Sequence, residues 1–429
     1  MHKLLYKAGT GLAAAAIIAQ GFAGLALASL DVEISGNGAN SDNTANVAVS
    51  DQTQVTQNNT ANITNNVDVS ADTGKNDANK NTGGDVDITT GNATTTVGVS
   101  NTANANVADV NGCCPSDLNV TISGNGAKSD NDATVIVKNG TWVDQNNYAK
   151  IKNNVDVDSD TGKNDANGNT GGSVSITTGN SSSDVAVSNT ANKNVATVGN
   201  GSGGGTLSVV ISGNGWNSDN TANVAVASQT GVLQNNTAKI TNDVDVDADT
   251  GKNDANHNTG GDVEILTGNA DADVDVSNLA NFNFADVDSC GCILDGTVKI
   301  AGNGAKSDNE ANVALVSATL VGQDNVYACG YGHRGGDLVG LFSEGHHKSK
   351  PCNDVNVDLD TGKNDANGNT GDPGGDPSIL TGDAEADVVV ETTANTNVVG
   401  DADFDFDFPE MDLGGSSASL LFMLLAFFS

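Results

Sequence analysis

Along this chain, Val, Ile and Ala alternate with polar residues. The pattern is plain at Val47-Ala48-Val49, Ile63, Val67-Asp68-Val69, Val86-Asp87-Ile88, Val97-Gly98-Val99 and Val107. Alternation with period two, carried by β-branched residues, predicts strands. Clusters of Gly, Asn, Asp and Thr lie between them and supply the chemistry of tight turns. No part of the repeated region shows a helical period. The expected class is all-β with short strands.

The pattern recurs. Ile-Ser-Gly-Asn-Gly begins at Ile34, Ile122 and Ile211, and returns as Ile-Ala-Gly-Asn-Gly at Ile300. Asp-Thr-Gly-Lys-Asn-Asp-Ala-Asn begins at Asp72, Asp160, Asp249 and Asp360. The first and third copies align without a gap, with 59 identities in 77 positions between 34–110 and 211–287. A period near 88 held this tightly marks a structural unit. We divide the chain into a segment 1–28, repeats at 29–118, 119–207, 208–296 and 297–400, and a tail at 401–429. Repeat 4 carries an insertion within 326–353, and a second of three residues that brings in Pro373 and Pro377.

Two architectures fit: a β-solenoid of four repeats, or a string of Ig-like β-sandwich domains. Composition separates them. Residues 34–110 contain no Phe, Trp, Tyr, Leu or Met. Two facing sheets about 10 Å apart normally need larger side chains. A narrow solenoid suits Val, Ile, Ala and Asn, since stacked amides can satisfy one another. With coils of about 22 residues and roughly 4.8 Å per coil, sixteen coils would span about 75–80 Å.

The segments Gln57-Asn58-Asn59-Thr60-Ala61-Asn62-Ile63-Thr64-Asn65 and Gln234-Asn235-Asn236-Thr237-Ala238-Lys239-Ile240-Thr241-Asn242 resemble the Asn-x-Ala-x-Val-x-Gln half of curlin repeats, as do Asn43–Val47 and Asn220–Val224. The resemblance implies a secreted subunit of an adhesive, amyloid-like fibre, built as a β-solenoid.

Composition and charge narrow the function. The 429 residues include 58 Asn and 52 Gly, and the formal net charge is −36. So acidic a chain has no basic footprint for nucleic acid. Lys3 and Lys7 precede an apolar stretch, Gly11 to Ala28, that ends Ala26-Leu27-Ala28. This has the form of a secretory signal. Its removal takes two lysines and leaves −38. The expected location is extracellular or at the cell surface, where disulfides persist.

Candidate sites follow. Asp243, Asp245, Asp247 and Asp249 alternate, which predicts one acidic strand face. Asp156, Asp158 and Asp160 repeat the arrangement, and Asp354, Asp358 and Asp360 do so in part. Such a row suits either Ca2+, held by oxygen ligands, or a solvated face that keeps a fibre soluble. In repeat 4, Cys329 and Cys352 bracket the insertion and are expected to form a disulfide. Between them lie His333, Arg334, His346, His347, Lys348 and Lys350, a basic loop suited to an anionic glycan or a neighbour's acidic face. The pairing of Cys113, Cys114, Cys290 and Cys292 stays open. Thr94-Thr95-Thr96 begins a threonine row that Asp271-Ala272-Asp273 breaks.

In the tail, Phe404, Phe406 and Phe408 alternate with acids, and Leu420–Phe428 is apolar. That end is too short to span a bilayer alone, and suits a cap or a sorting or membrane-anchoring signal. No nucleophile elbow, phosphate loop or zinc-protease motif occurs, so no enzyme is expected. The expected function is a structural or adhesive repeat protein that self-associates into fibres or surface assemblies. The alternative is a calcium-dependent surface binding module that recognises its ligand through the repeat-4 loop.

Overall fold

The computed structural model describes residues 6–7, 17–23, 30–111, 117–199, 206–287, 296–329, 352–371 and 377–400. The described residues are all-β, and every named strand pair is parallel. Ig-like sandwiches are built from antiparallel sheets, so that alternative is excluded here.

Each repeat lays down four strands. In repeat 2 they are Leu118–Ser123, Asp130–Asp160, Val174–Thr177 and Ser181–Val198. Each strand pairs with its own equivalent in the next repeat. Asp42 is in register with Asp130, Asp130 with Asp219, and Asp219 with Asp308. The offset between neighbours is therefore the whole repeat, and the 22-residue coil is corrected. A layer is one repeat, and the four layers stack through four parallel sheets. At roughly 4.8 Å per layer the stack is about 15 Å deep between its outer layers, far short of the length that 22-residue coils imply.

Within a layer the chain folds back on itself. The long strand turns one face, its odd-numbered residues in repeat 1, toward two partners. Ala45 and Val47 pack beside Val32 and Ile34 of the preceding short strand. Further along, Val55 meets Ala108 and Val110, and Val67 and Val69 meet Val97 and Val99, all on the returning strand. The core is thin, and Val, Ile and Ala fill it. Each fully buried Val or Ile contributes about 1.5–3 kcal/mol.

The returning strand changes phase once. Thr95, Val97, Val99, Asn101 and Ala103 face the core, and then Asn104, Asn106, Ala108 and Val110 do. Asn104 sits at φ 61°, and its equivalents Asn192, Asn281 and Asn395 at 63°, 62° and 65°. Asn tolerates this left-handed conformation better than most residues. The kink shifts the alternation by one and keeps both halves of the strand packed inward.

Candidate functional site

The buried Asn residues form continuous chains through the stack. Asn65 donates to Asn153, Asn153 to Asn242 and Asn242 to Asn353, at 2.7–2.8 Å. A second set zigzags between the facing strands. Asn106 donates to Asn147 and Asn194, and Asn194 to Asn236 and Asn283, each at 3.0 Å. Gln145 donates to Gln57, and Gln234 to Gln145, at 2.8 Å. Burying an unpaired amide is costly. Stacking like on like satisfies these amides from the layer next to them, which is why the core tolerates so much Asn.

The Asp-Thr-Gly-Lys motif forms a second ladder, with alternating charge. Asp160 is buried. Its Oδ1 accepts the Gly162 N–H at 2.9 Å, and its Oδ2 accepts Lys163 Nζ at 2.6 Å. Lys75 of the preceding layer reaches the same Oδ2 at 3.5 Å. Lys163 in turn lies 3.3 Å from Asp249, and Lys252 lies 3.6 Å from Asp360. Each lysine therefore joins its own layer's aspartate to that of the next. The left-handed backbone at Lys75, Lys163, Lys252 and Lys363 folds each side chain back toward its partner. Burial pulls the Lys163 ammonium down, but the hydrogen bond and charge of Asp160, with those of Asp249, hold it well above its ordinary range. At Asp360, burial is outweighed by Lys363 and the Gly362 N–H, and the carboxyl is held low.

Glycine makes this turn stackable. A methyl group on Gly74, Gly162 or Gly251 would run into the carbonyl oxygen of the equivalent glycine in the next layer.

The expected acidic face is thus divided. Asp156, Asp245 and Asp358 are exposed, Asp158 and Asp247 are half-buried, and Asp160, Asp249 and Asp360 turn inward to the lysines. The alternation breaks at the strand end, where Ser159 and Asp160 are both buried. Desolvation first, with the neighbouring Asp160 carboxylate adding to it, raises the Asp158 carboxyl. Asp247 is raised the same way, by burial and then by Asp158 and Asp249. Among the described residues, no group of three or more His, Cys, Asp or Glu gathers as a metal site. The lysines were the residues the sequence reading missed. Their signal was a Lys three positions after the Asp in every copy.

Cys329 and Cys352 are disulfide-bonded, as expected. The long strand of repeat 4 holds its register to Ala328 and resumes at Asn353, so the insertion is narrower than 326–353. His333, Arg334, His346, His347, Lys348 and Lys350 lie outside the described residues. So do Cys113, Cys114, Cys290, Cys292 and the tail 401–429.

A groove of about 470 Å3 crosses the layers where the long strand passes from its first partner to its second. Thr53, Thr141, Thr230 and Thr319 line it, beside Trp142. The ends of the stack differ from its middle. Among the described residues, the strands of repeat 4 have no partner on their outer side, and Val313, Leu315, Leu320 and Leu380 are exposed at 51–62%.

Comparison with family models, curated proteins and solved structures gives no match.

Proposed function

We propose that this chain is a secreted structural subunit that stacks end to end into fibres at the cell surface or in an extracellular matrix. It acts as one β-solenoid in which each repeat is a single coil, and it performs no catalysis. One observation carries the reading: among the described residues, the stack ends in an unpaired, partly apolar set of parallel strand edges in repeat 4. Soluble proteins normally shorten, charge or cover such edges because they template further strands. Here every rung repeats the sequence of the one before, so a second copy is the natural next layer. The resemblance to curlin repeats points the same way, and the Cys329–Cys352 disulfide suits an oxidising compartment.

The test is electron microscopy and fibre diffraction of the secreted chain. Unbranched fibres with a reflection near 4.8 Å along the axis are expected. Monodisperse particles under all conditions would overturn the proposal.

A second reading has one observation behind it. The disulfide closes the base of the repeat-4 insertion. In that reading the chain is an adhesin, and the basic loop contacts an anionic glycan or the acidic face of a neighbour. Deleting 330–351 should then abolish surface adhesion and leave fibres intact.

A further inference from the structure

The lysine–aspartate ladder is directional, and it is unfinished at both ends. Lys75, Lys163 and Lys252 each reach forward to the aspartate of the following layer, at 3.5, 3.3 and 3.6 Å. Among the described residues, Lys363 has its own Asp360 at 2.6 Å but no following layer, and its side chain is 70% exposed against 33% for Lys163. At the other end, and again among the described residues, Asp72 holds its own Lys75 but has no lysine before it. Its side chain is 31% exposed, where Asp160 and Asp249 are at 0%. One end thus lacks an acid and the other lacks a base, at the same place in the layer.

The Asn65 and Asn104 ladders share this polarity, while the Gln57–Gln145–Gln234–Gln323 row donates the other way. Asn353 accepts from Asn242 and Asn278 and is the last residue of its chain, while Asn65 at the opposite end donates to Asn153 and Asn101. Asn395 ends the ladder that Asn104 begins. The first-layer edge also takes a parallel strand within the chain itself. Ile17–Ala23 pairs with Ala105–Asn111, with Ile17 opposite Ala105. In the other layers the residue equivalent to Ala105 pairs forward as Lys193 with Phe282 and Phe282 with Thr396. The slot filled by Ile17 is therefore the one that Thr396 of a preceding copy would take.

We infer that subunits join head to tail, the fourth layer of one copy on the first layer of the next, with Lys363 closing on Asp72 of the second copy. This rests on the fibre reading and adds direction and register to it. Neither a joint of two fourth layers nor one of two first layers supplies both an open Lys363 and an open Asp72, so complementary charge favours the head-to-tail joint. The resulting filament is polar, and its two ends are chemically different.

The test is seeded growth of the secreted chain, from which 1–28 has been removed so that the slot of Ile17 is open, carrying Lys363→Glu. The variant's first-layer end is intact, so it should add once to the fourth-layer end of a wild-type seed and stop growth there. Growth at the other end should continue with wild-type monomer. Alone, the variant should elongate at least about ten-fold more slowly. Lys363→Met, which removes the charge without adding repulsion, should fall between. Melting temperatures within a few degrees of wild type check that both variants fold.

If the wild type forms fibres and folded Lys363→Glu elongates at the same rate from both ends, the junction is wrong and the fibre reading survives. If the wild type forms no fibres, both fall.

Discussion

Cys329 and Cys352 occupy the register positions of two adjacent residues, Ile240 and Thr241, in the layer beneath. The strand before them pairs through Ala328 with Lys239, and the strand after them resumes with Asn353 on Asn242. Their Cα atoms lie 4.6 Å apart, little more than neighbours along a chain. The disulfide restores a rung that 22 inserted residues interrupt in the sequence.

Replacing both cysteines by serine should therefore loosen repeat 4 selectively. Closing a loop of this size is worth about 3 kcal/mol. Hydrogen exchange should quicken in Asp308–Ala328 and Asn353–Asp360 and stay unchanged in repeats 1 to 3. Uniform loosening of all layers would contradict a local role for the bond.

Asn194 donates to two asparagines and accepts from two others. Asn194→Leu strands all four and should cost about 2–3 kcal/mol, read from the urea midpoint. Asn146, in the exposed outer ladder with Asn58 and Asn235, is the control. Asn146→Ala should change stability by about 0.5 kcal/mol or less. Equal effects at the two sites would mean that burial is not what gives the inner ladder its weight.

Gly162→Ala places a methyl group against the Gly251 carbonyl. Neither backbone can yield without separating the layers at this turn. A loss of at least about 2 kcal/mol is expected, with the melting temperature falling by several degrees. Gly91→Ala, where a methyl meets nothing within 4 Å, should be nearly silent.

Acid should stabilise the stack before it destabilises it. Burial, and then like carboxylates in adjacent layers, raise Asp130, Asp165, Asp184 and Asp254 above the ordinary 3.8. A raised folded value means the folded state binds more protons between 3.8 and that value, so stability grows as pH falls through this window. Asp360 is lowered, so its contribution is present above 3.8 and is lost as pH falls below it. A melting temperature that rises from pH 7 toward about 4 and then falls is expected. A steady decline from pH 7 downward would count against the carboxylate ladders.

Calcium gives a sharper test of the acidic strands. Lys163 and Lys252 already supply the counter-charge to Asp160, Asp249 and Asp360. Millimolar Ca2+, or a chelator, should leave the melting temperature within about 1 °C. A rise of several degrees with Ca2+ would return the cation to Asp158 and Asp247, each of which keeps a buried Oδ1 without a hydrogen-bond partner.

Much of this protein is legible in its sequence. Alternating Val and Ile mark the strands, because a buried strand face must be apolar at every second position. The constant spacing near 88 marks the repeats, because stacked equivalents tolerate no slippage. Even the cysteine pair can be read from the point where the fourth copy departs from the others.

What the sequence does not contain is which positions meet. The curlin-like half motifs suggest a rung of about 22 residues, yet the chain closes its rung only after a whole repeat. Asn65 finds its hydrogen bonds on Asn153 and Asn101, and Asn59 on Asn106, partners that no local pattern identifies. The inward turn of Asp160 and the phase change at Asn104 likewise depend on contacts across the layer and between layers. Local alternation costs only the preference of each residue for a strand, so a single sequence encodes it. Register is decided by how fully the buried amides and carboxylates find partners at once, and only the assembled stack settles that.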